Sequence, residues 1–169
     1  MRDKSLHNKG YILMEALVAM TIVAVGLLGI FSLLSRSLSL NRVVSDRYVA
    51  AYLSAEGIEL VKNKIDNNVI NRRAWNFDIT DGDFEIDAYD EEQKLNRVNG
   101  SQASLLRFDN DKGSYGNDGD KVTRFRRKVN IELLGGGDEL RVRSNVSWLG
   151  RGEADFEVVL EARFFNYWK

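Results

Sequence analysis

The chain has 169 residues with 24 basic and 25 acidic side chains, a size for one domain with its own core and a charge balance that sets up no global field toward nucleic acid. Hydrophobic residues make up 44% and charged ones 29%, which fits a folded chain rather than a disordered one. There is no cysteine and one histidine, His7, so disulfides, thiolate metal sites, iron–sulfur clusters and cysteine nucleophiles are excluded, and Ser-His-Asp hydrolases and most zinc enzymes are argued against.

The first element is a short basic segment, residues 1–10, with Arg2, Lys4 and Lys9 against Asp3. From Ala16 to Leu34 no residue is charged. As a helix that run is about 28 Å long, close to the roughly 30 Å of a bilayer's hydrocarbon core, and it predicts a transmembrane helix over 11–35. The basic flank keeps residues 1–10 cytoplasmic and places the rest outside the cytoplasm. A secretory signal peptide has a shorter apolar core and a small-x-small cleavage site before polar sequence. Here the run passes through Ser32-Leu33-Leu34-Ser35-Arg36 into sequence that still reads as helix.

Glu15 stands at the start of the apolar run. A carboxylate in hydrocarbon costs about 2.5 to 3.5 kcal/mol on insertion scales, so it needs a partner, and a cation at another subunit's N-terminus is the best candidate. The alternative is that it reaches the headgroups.

The order Lys9-Gly10-Tyr11-Ile12-Leu13-Met14-Glu15-Ala16-Leu17-Val18-Ala19 resembles the class III signal of type IV pilins and type II secretion pseudopilins. The resemblance implies a leader that ends at Gly10, cleavage by a prepilin peptidase between Gly10 and Tyr11, and N-methylation of Tyr11. It also implies that Glu15 registers each subunit in a filament. Family members more often carry phenylalanine where this chain has Tyr11, and many bend this helix with proline, which is absent here. Gly26 and Gly29 are the soft points of the run, suited to close helix packing or local melting, although glycine is common in membrane helices anyway.

Beyond Arg36 the pattern becomes amphipathic. Leu40, Val44, Tyr48, Ala51, Ala55, Ile58, Val61 and Ile65 recur at three- and four-residue steps, with Arg42, Asp46, Arg47, Glu56, Glu59, Lys62 and Lys64 largely elsewhere. The helix is expected from about 11 to about 66, its second part spanning 36–66 and ending before Asn67-Asn68. The stretch Ala55-Glu56-Gly57-Ile58-Glu59-Leu60-Val61-Lys62-Asn63 is similar to the matching part of minor pilins of the PilV type.

Residues 67–169 read as a β-rich head. Phe84, Ile86 and Ala88 alternate with Glu85, Asp87 and Tyr89. Phe125, Val129, Ile131 and Leu133 share one parity; so do Leu140, Val142, Val146 and Trp148, and Phe156, Val158, Leu160, Ala162 and Phe164. These are half-buried strands with one dry face. Gly135-Gly136-Gly137-Asp138 and Gly150-Arg151-Gly152 supply tight turns between the last three. The predicted class is α+β, a long helix packed on a small antiparallel sheet, the ladle of the pilin family. Residues 67–82 and 90–120 are expected to be irregular.

Several constellations have a chemical reading and an ordinary one. Asp109, Asp111, Asp118 and Asp120 lie in a glycine-rich loop whose oxygens can gather around calcium, and related pseudopilins use an acidic loop this way. Gly113, Ser114 and Asp120 occupy positions where an EF-hand has other residues, and the same residue types compose any turn. Arg124, Arg126, Arg127 and Lys128 form the densest basic cluster. A solvated strand face paired with the strand of Glu157 and Glu161 explains them better than nucleic acid, which is not an expected partner. Arg127 falls on the apolar parity and needs a partner. Phe164 and Trp168 continue the buried parity, leaving Phe165 and Tyr167 outward. The carboxylate pairs Asp81/Asp83 and Glu91/Glu92 have no nucleophile, phosphate loop or cofactor fingerprint beside them, so no enzyme and no cofactor other than calcium is expected.

The resemblance implies a minor pilin or pseudopilin of a type IV pilus or secretion pseudopilus. Its partners would be the prepilin peptidase, other pilin or pseudopilin subunits, the inner-membrane assembly platform and membrane lipid. It would be a single-pass membrane protein first, then part of a cell-surface or periplasmic filament. Loss of the leader would leave 21 basic and 24 acidic residues. The rival expectation is a signal-anchored surface domain that binds a ligand or glycan without being processed.

Overall fold

A computed structural model describes residues 5–87, 94–98, 102–150 and 154–167, with side chains from residue 10 onward. The chain is α+β: one long helix, α1 (Ser5–Ile70), and one antiparallel sheet. It divides into two compact units, residues 1–44 and 45–169. Within the first, every side chain from 10 to 42 is exposed.

The strands of the second unit are β1 (Gly82–Glu85), β2 (Asn96–Arg97), β3 (Leu105–Asp109), β4 (Ser114–Gly116), β5 (Lys121–Leu134), β6 (Glu139–Leu149) and β7 (Asp155–Phe165). As expected, the last three form a meander. β5 is its hub, pairing along one edge with β6, which in turn pairs with β7. Its other edge takes β1 at residues 129–131 and β3 at residues 121–126, with β2 and β4 outside these. The hairpin β5–β6 closes through Gly135, Gly136 and Gly137, all at positive φ (60°, 72° and 98°), where a side chain would be strained. Gly150 N–H donates to the carbonyl of Ala154 at 2.9 Å across the next turn; Arg151 and Gly152 lie outside the described residues, as do Arg2, Asp3, Lys4, Ala88, Tyr89, Glu91, Glu92 and Trp168.

α1 starts before residue 11 and runs past Asn67-Asn68 to Ile70. The asparagines do not stop it because the loop that follows is tied to them. Asn68 Nδ2 donates to the carbonyls of Trp75 (3.1 Å) and Phe77 (2.8 Å). The end is a Schellman turn: Arg73 N–H bonds Asn68 O, Arg72 N–H bonds Val69 O, and Arg72 takes the left-handed φ of 56° that glycine usually supplies. Residues 71–80 are not a surface loop alone, since Trp75 and Ile79 are buried in the core.

The buried face of α1 keeps Val61 and Ile65 of the expected stripe and departs from the rest of it. Leu40, Val44 and Tyr48 are exposed, as is Ala55, and Ala51 is only half-buried. The buried set is Ala50, Leu53, Ser54, Gly57, Leu60, Val61, Lys64, Ile65 and Asn68. Both sets have helical spacing. The second prevails because Ser54 and Gly57 are small enough to let the sheet approach. Ser54 Oγ donates to Ser144 O at 2.6 Å, and a Cβ at Gly57 would collide with Ser144 Oγ. Lys64, expected on the polar side, is buried with its ammonium 3.1 Å from Asp78 Oδ2.

The core has two clusters. Leu60, Val61, Ile65, Trp75, Ile79 and Phe84 pack on Val129, Ile131, Leu140 and Val142 in one. In the other, Ala50 and Leu53 pack on Leu106, Phe125, Val146 and Trp148. A row of rings crosses the sheet at the second cluster. Phe108, Tyr115, Phe125, Trp148 and Phe156 follow one another at centroid separations of 5.0, 6.5, 5.8 and 5.6 Å. Phe108 and Tyr115 belong to β3 and β4, which lie in the stretch expected to be irregular; strands of five and three residues carry too little alternation to stand out.

Candidate functional site

α1 is long and apolar enough to cross a membrane. The residues picked out at its start all lie on this helix. Gly10 and Tyr11 sit within it rather than ahead of it, and Tyr11 is 74% exposed. Tyr11, Glu15, Val18 and Ile22 follow at three- and four-residue steps, with Met14 three residues beyond Tyr11, so they share one face. Glu15 is the one charged side chain from Tyr11 to Ser35, and it too is exposed. Thr21 satisfies its hydroxyl within the helix by donating to Val18 O at 2.8 Å, which keeps the surrounding surface apolar. A Cβ at Gly10, Gly26 or Gly29 would meet nothing within 4 Å, so these glycines present bare backbone along the helix.

The acidic loop is organised by its own backbone. Asp109 Oδ1 accepts N–H bonds from Asp111 (2.9 Å) and Lys112 (3.0 Å), and its Oδ2 lies 3.5 Å from Lys112 Nζ. The N–H groups of Lys112 first, then Asp111, hold the Asp109 carboxyl below its ordinary range, over a smaller opposing effect of desolvation. Asp120 Oδ2 accepts from Asn110 N–H at 3.3 Å. Asp109, Asp111, Asp118 and Asp120 do not converge as a metal site. Among the described residues no group of three such ligands does.

The basic cluster is paired, but not with β7 as expected, because β6 lies between β5 and β7. Arg124 reaches Asp46 at 3.0 Å, Arg126 donates to Ala103 O at 2.6 Å, and Lys128 reaches Asp83 at 3.0 Å. Asn130 adds a 2.8 Å bond to Asp83. That bond, followed by Lys128, holds the Asp83 carboxyl below its ordinary value despite partial desolvation. Glu161 takes Arg143 at 3.0 Å and Arg163 at 3.5 Å, while Glu157 accepts from Asn145 at 3.0 Å. Glu132 pairs with Arg141 and Arg143, and Glu139 with Arg163. Arg124 thus ties β5 to α1, whereas the face of the sheet turned away from α1 carries a network of ion pairs and hydrogen bonds. Asp81 is likewise structural, its Oδ1 accepting from Leu133 N–H at 2.5 Å.

Phe165 and Tyr167 point outward as their parity predicts, 44% and 81% exposed with ring centroids 6.2 Å apart. Phe164 packs against the first core cluster. Comparison of the chain with protein-family models, curated proteins and solved structures returns no match.

Proposed function

We propose that the chain is a minor pilin or pseudopilin. It is inserted in the membrane through the first part of α1, cut between Gly10 and Tyr11 by a prepilin peptidase, N-methylated at Tyr11 and assembled into a filament. The observation that carries this reading is the isolation of Glu15. It is the single charge in an apolar, fully exposed helical stretch, one turn from the residue that would become the new N-terminus. A freed and methylated amine at Tyr11 of a neighbouring subunit supplies the cation that the carboxylate lacks. An ion pair of this kind fixes register between otherwise featureless apolar helices. The role is packing rather than catalysis: the apolar helix exchanges lipid for the helices of its neighbours, and the head is carried outward.

Support comes from the ordered combination of basic leader, Gly10, aromatic Tyr11, Glu15 and apolar run, and from the continuity of that run with a helix that packs on an antiparallel sheet. The test is intact mass and N-terminal sequencing of the protein from its own membranes, with and without an active prepilin peptidase. A mature chain beginning at methylated Tyr11 is expected. An uncut chain in the presence of the peptidase would move the reading to a signal-anchored surface domain.

A further inference from the structure

On the row of β5, β6 and β7 side chains turned away from α1, three charges stand outside the ion pairs. Every other charged side chain of that row has an ionic partner. Arg126 has only the carbonyl of Ala103, 2.6 Å from its Nη1, and Glu157 only the side-chain amide of Asn145, 3.0 Å from its Oε2. The Asp155 carboxylate has neither a hydrogen bond nor an ionic partner among the described residues. The strand register keeps the opposite charges apart. Arg126 lies across from Ser147 of β6, and Ser147 across from Glu157 of β7. Neighbouring strands are about 4.8 Å apart, so the two charged rows are roughly 9.5 Å from each other. Ala103 leads into β3, on the edge of β5 opposite β6, and its carbonyl holds the arginine back from Glu157.

The gap between the rows is a trough. A hollow of about 180 Å³ is bounded by Arg126, Glu157, Asn145, Ser147 and Gln102. It shares Gln102, Arg126 and Ser147 with a second hollow of about 260 Å³, which continues past Leu105 and Leu149 to Asp155. Together they have the ordinary size of a small-molecule site, about 300 to 1,000 Å³. The first hollow is charged, whereas the second offers apolar surface, with Leu149 58% exposed.

These charges define the ligand. A guanidinium without a counter-ion takes a carboxylate, and only Nη1 of Arg126 is engaged by Ala103. A carboxylate without a counter-ion takes an ammonium. A ligand bearing one charge would satisfy one bank of the trough and leave the other unpaired. A ligand with both groups about 3 Å apart, and a hydrogen bond of about 2.9 Å at each end, spans roughly 9 Å, which matches the rows. The termini of a dipeptide are about 6 Å apart and overshoot them. We propose that the trough binds a free α-amino acid with an apolar side chain. Its carboxylate bonds Arg126, its ammonium bonds Glu157, and its side chain covers Leu105 and Leu149. Asp155 adds negative charge on the ammonium's side, and the Ser147 hydroxyl lies on the floor between the two banks.

The test is isothermal titration calorimetry of the full chain in a non-ionic detergent with L-leucine, L-leucinamide, N-acetyl-L-leucine and glycine. Saturable binding of leucine is expected, with each of the others at least tenfold weaker, because each lacks one of the three contacts. Arg126→Gln removes the preference for leucine over leucinamide. Glu157→Gln keeps an acceptor for Asn145 and removes the preference over N-acetyl-leucine. Melting curves show whether both variants remain folded, and the ligand series on the unaltered chain decides the matter even where a variant does not. No binding of leucine up to about 10 mM, or equal binding of leucinamide, N-acetyl-leucine or glycine, overturns the inference. The readout needs neither cleavage at Gly10 nor a filament, so it is independent of the pilin reading.

Discussion

Arg127 of β5 projects into the core toward α1 and is bound there by Glu56, Nη1 to Oε2 at 2.6 Å, with 1% of the arginine side chain and 33% of the glutamate exposed. The same guanidinium donates to Leu53 O at 3.3 Å and Ile86 O at 3.0 Å, so it joins the helix, the central strand and the segment after β1. It stands on the apolar parity between Phe125 and Val129, which is why it requires a buried partner rather than solvent.

Removing Glu56 should therefore cost more than removing Arg127. Glu56→Ala leaves a buried cation without its counter-charge and is expected to lower unfolding free energy by roughly 2 to 3 kcal/mol, below the loss for fully enclosed pairs because water reaches the glutamate. Arg127→Met in that background should recover much of the loss. Denaturant titrations followed by the fluorescence of the buried Trp75 and Trp148 measure both.

Gly57 is required by close approach, not by backbone conformation. An added Cβ would overlap Ser144 Oγ and sit 3.2 Å from Arg127 Cδ. Gly57→Ala is expected to destabilise by about 1 to 3 kcal/mol, as overpacked cores do, and Ser144→Ala should relieve part of that by removing the nearest atom. Thermal melts of the single and double variants decide it.

Acid should weaken the sheet through Asp83 and Glu161. Asp83 is held below its ordinary 3.8 by Asn130 and Lys128. Desolvation pushes Glu161 up, but the bonds from Arg143 and Arg163 prevail and hold it below 4.5. A lowered folded value means that the contribution is complete above the ordinary value and is lost as pH falls through the folded one. Asp83→Asn should flatten the fall in melting temperature between about pH 5 and pH 3 relative to the unaltered chain. Identical acid limbs would show that the Asp83 contacts carry no stability.

On the pilin reading, Glu15→Ala leaves the head folded and the chain inserted but cuts incorporation into filaments by roughly tenfold, the factor for about 1.4 kcal/mol of lost pairing. Quantifying the protein in sheared filaments against the membrane fraction checks this. Unchanged incorporation would remove Glu15 from assembly.

Much of this was legible because it depends on neighbours in sequence. The uncharged run from Ala16 to Leu34, the long helix, the parity of β5, β6 and β7, and the Gly135–Gly137 turn all follow from local periodicity and backbone conformation. Tertiary structure decided the rest. Two sets on α1 that share Val61 and Ile65 have helical spacing, and long-range fit chose the one containing Ser54 and Gly57, because only small residues admit the sheet at that distance. The partners of Arg127 and Lys128 come from elements far away in sequence, Glu56 and Asp83, so no pattern near the arginine could name them. Residues 71–80 hold Trp75 and Ile79 in the core although their composition reads as loop. Strand β7 has the same alternation as β6, yet its place at the sheet's edge leaves Leu160 partly uncovered: alternation determines which face is apolar, and only packing determines whether that face is covered.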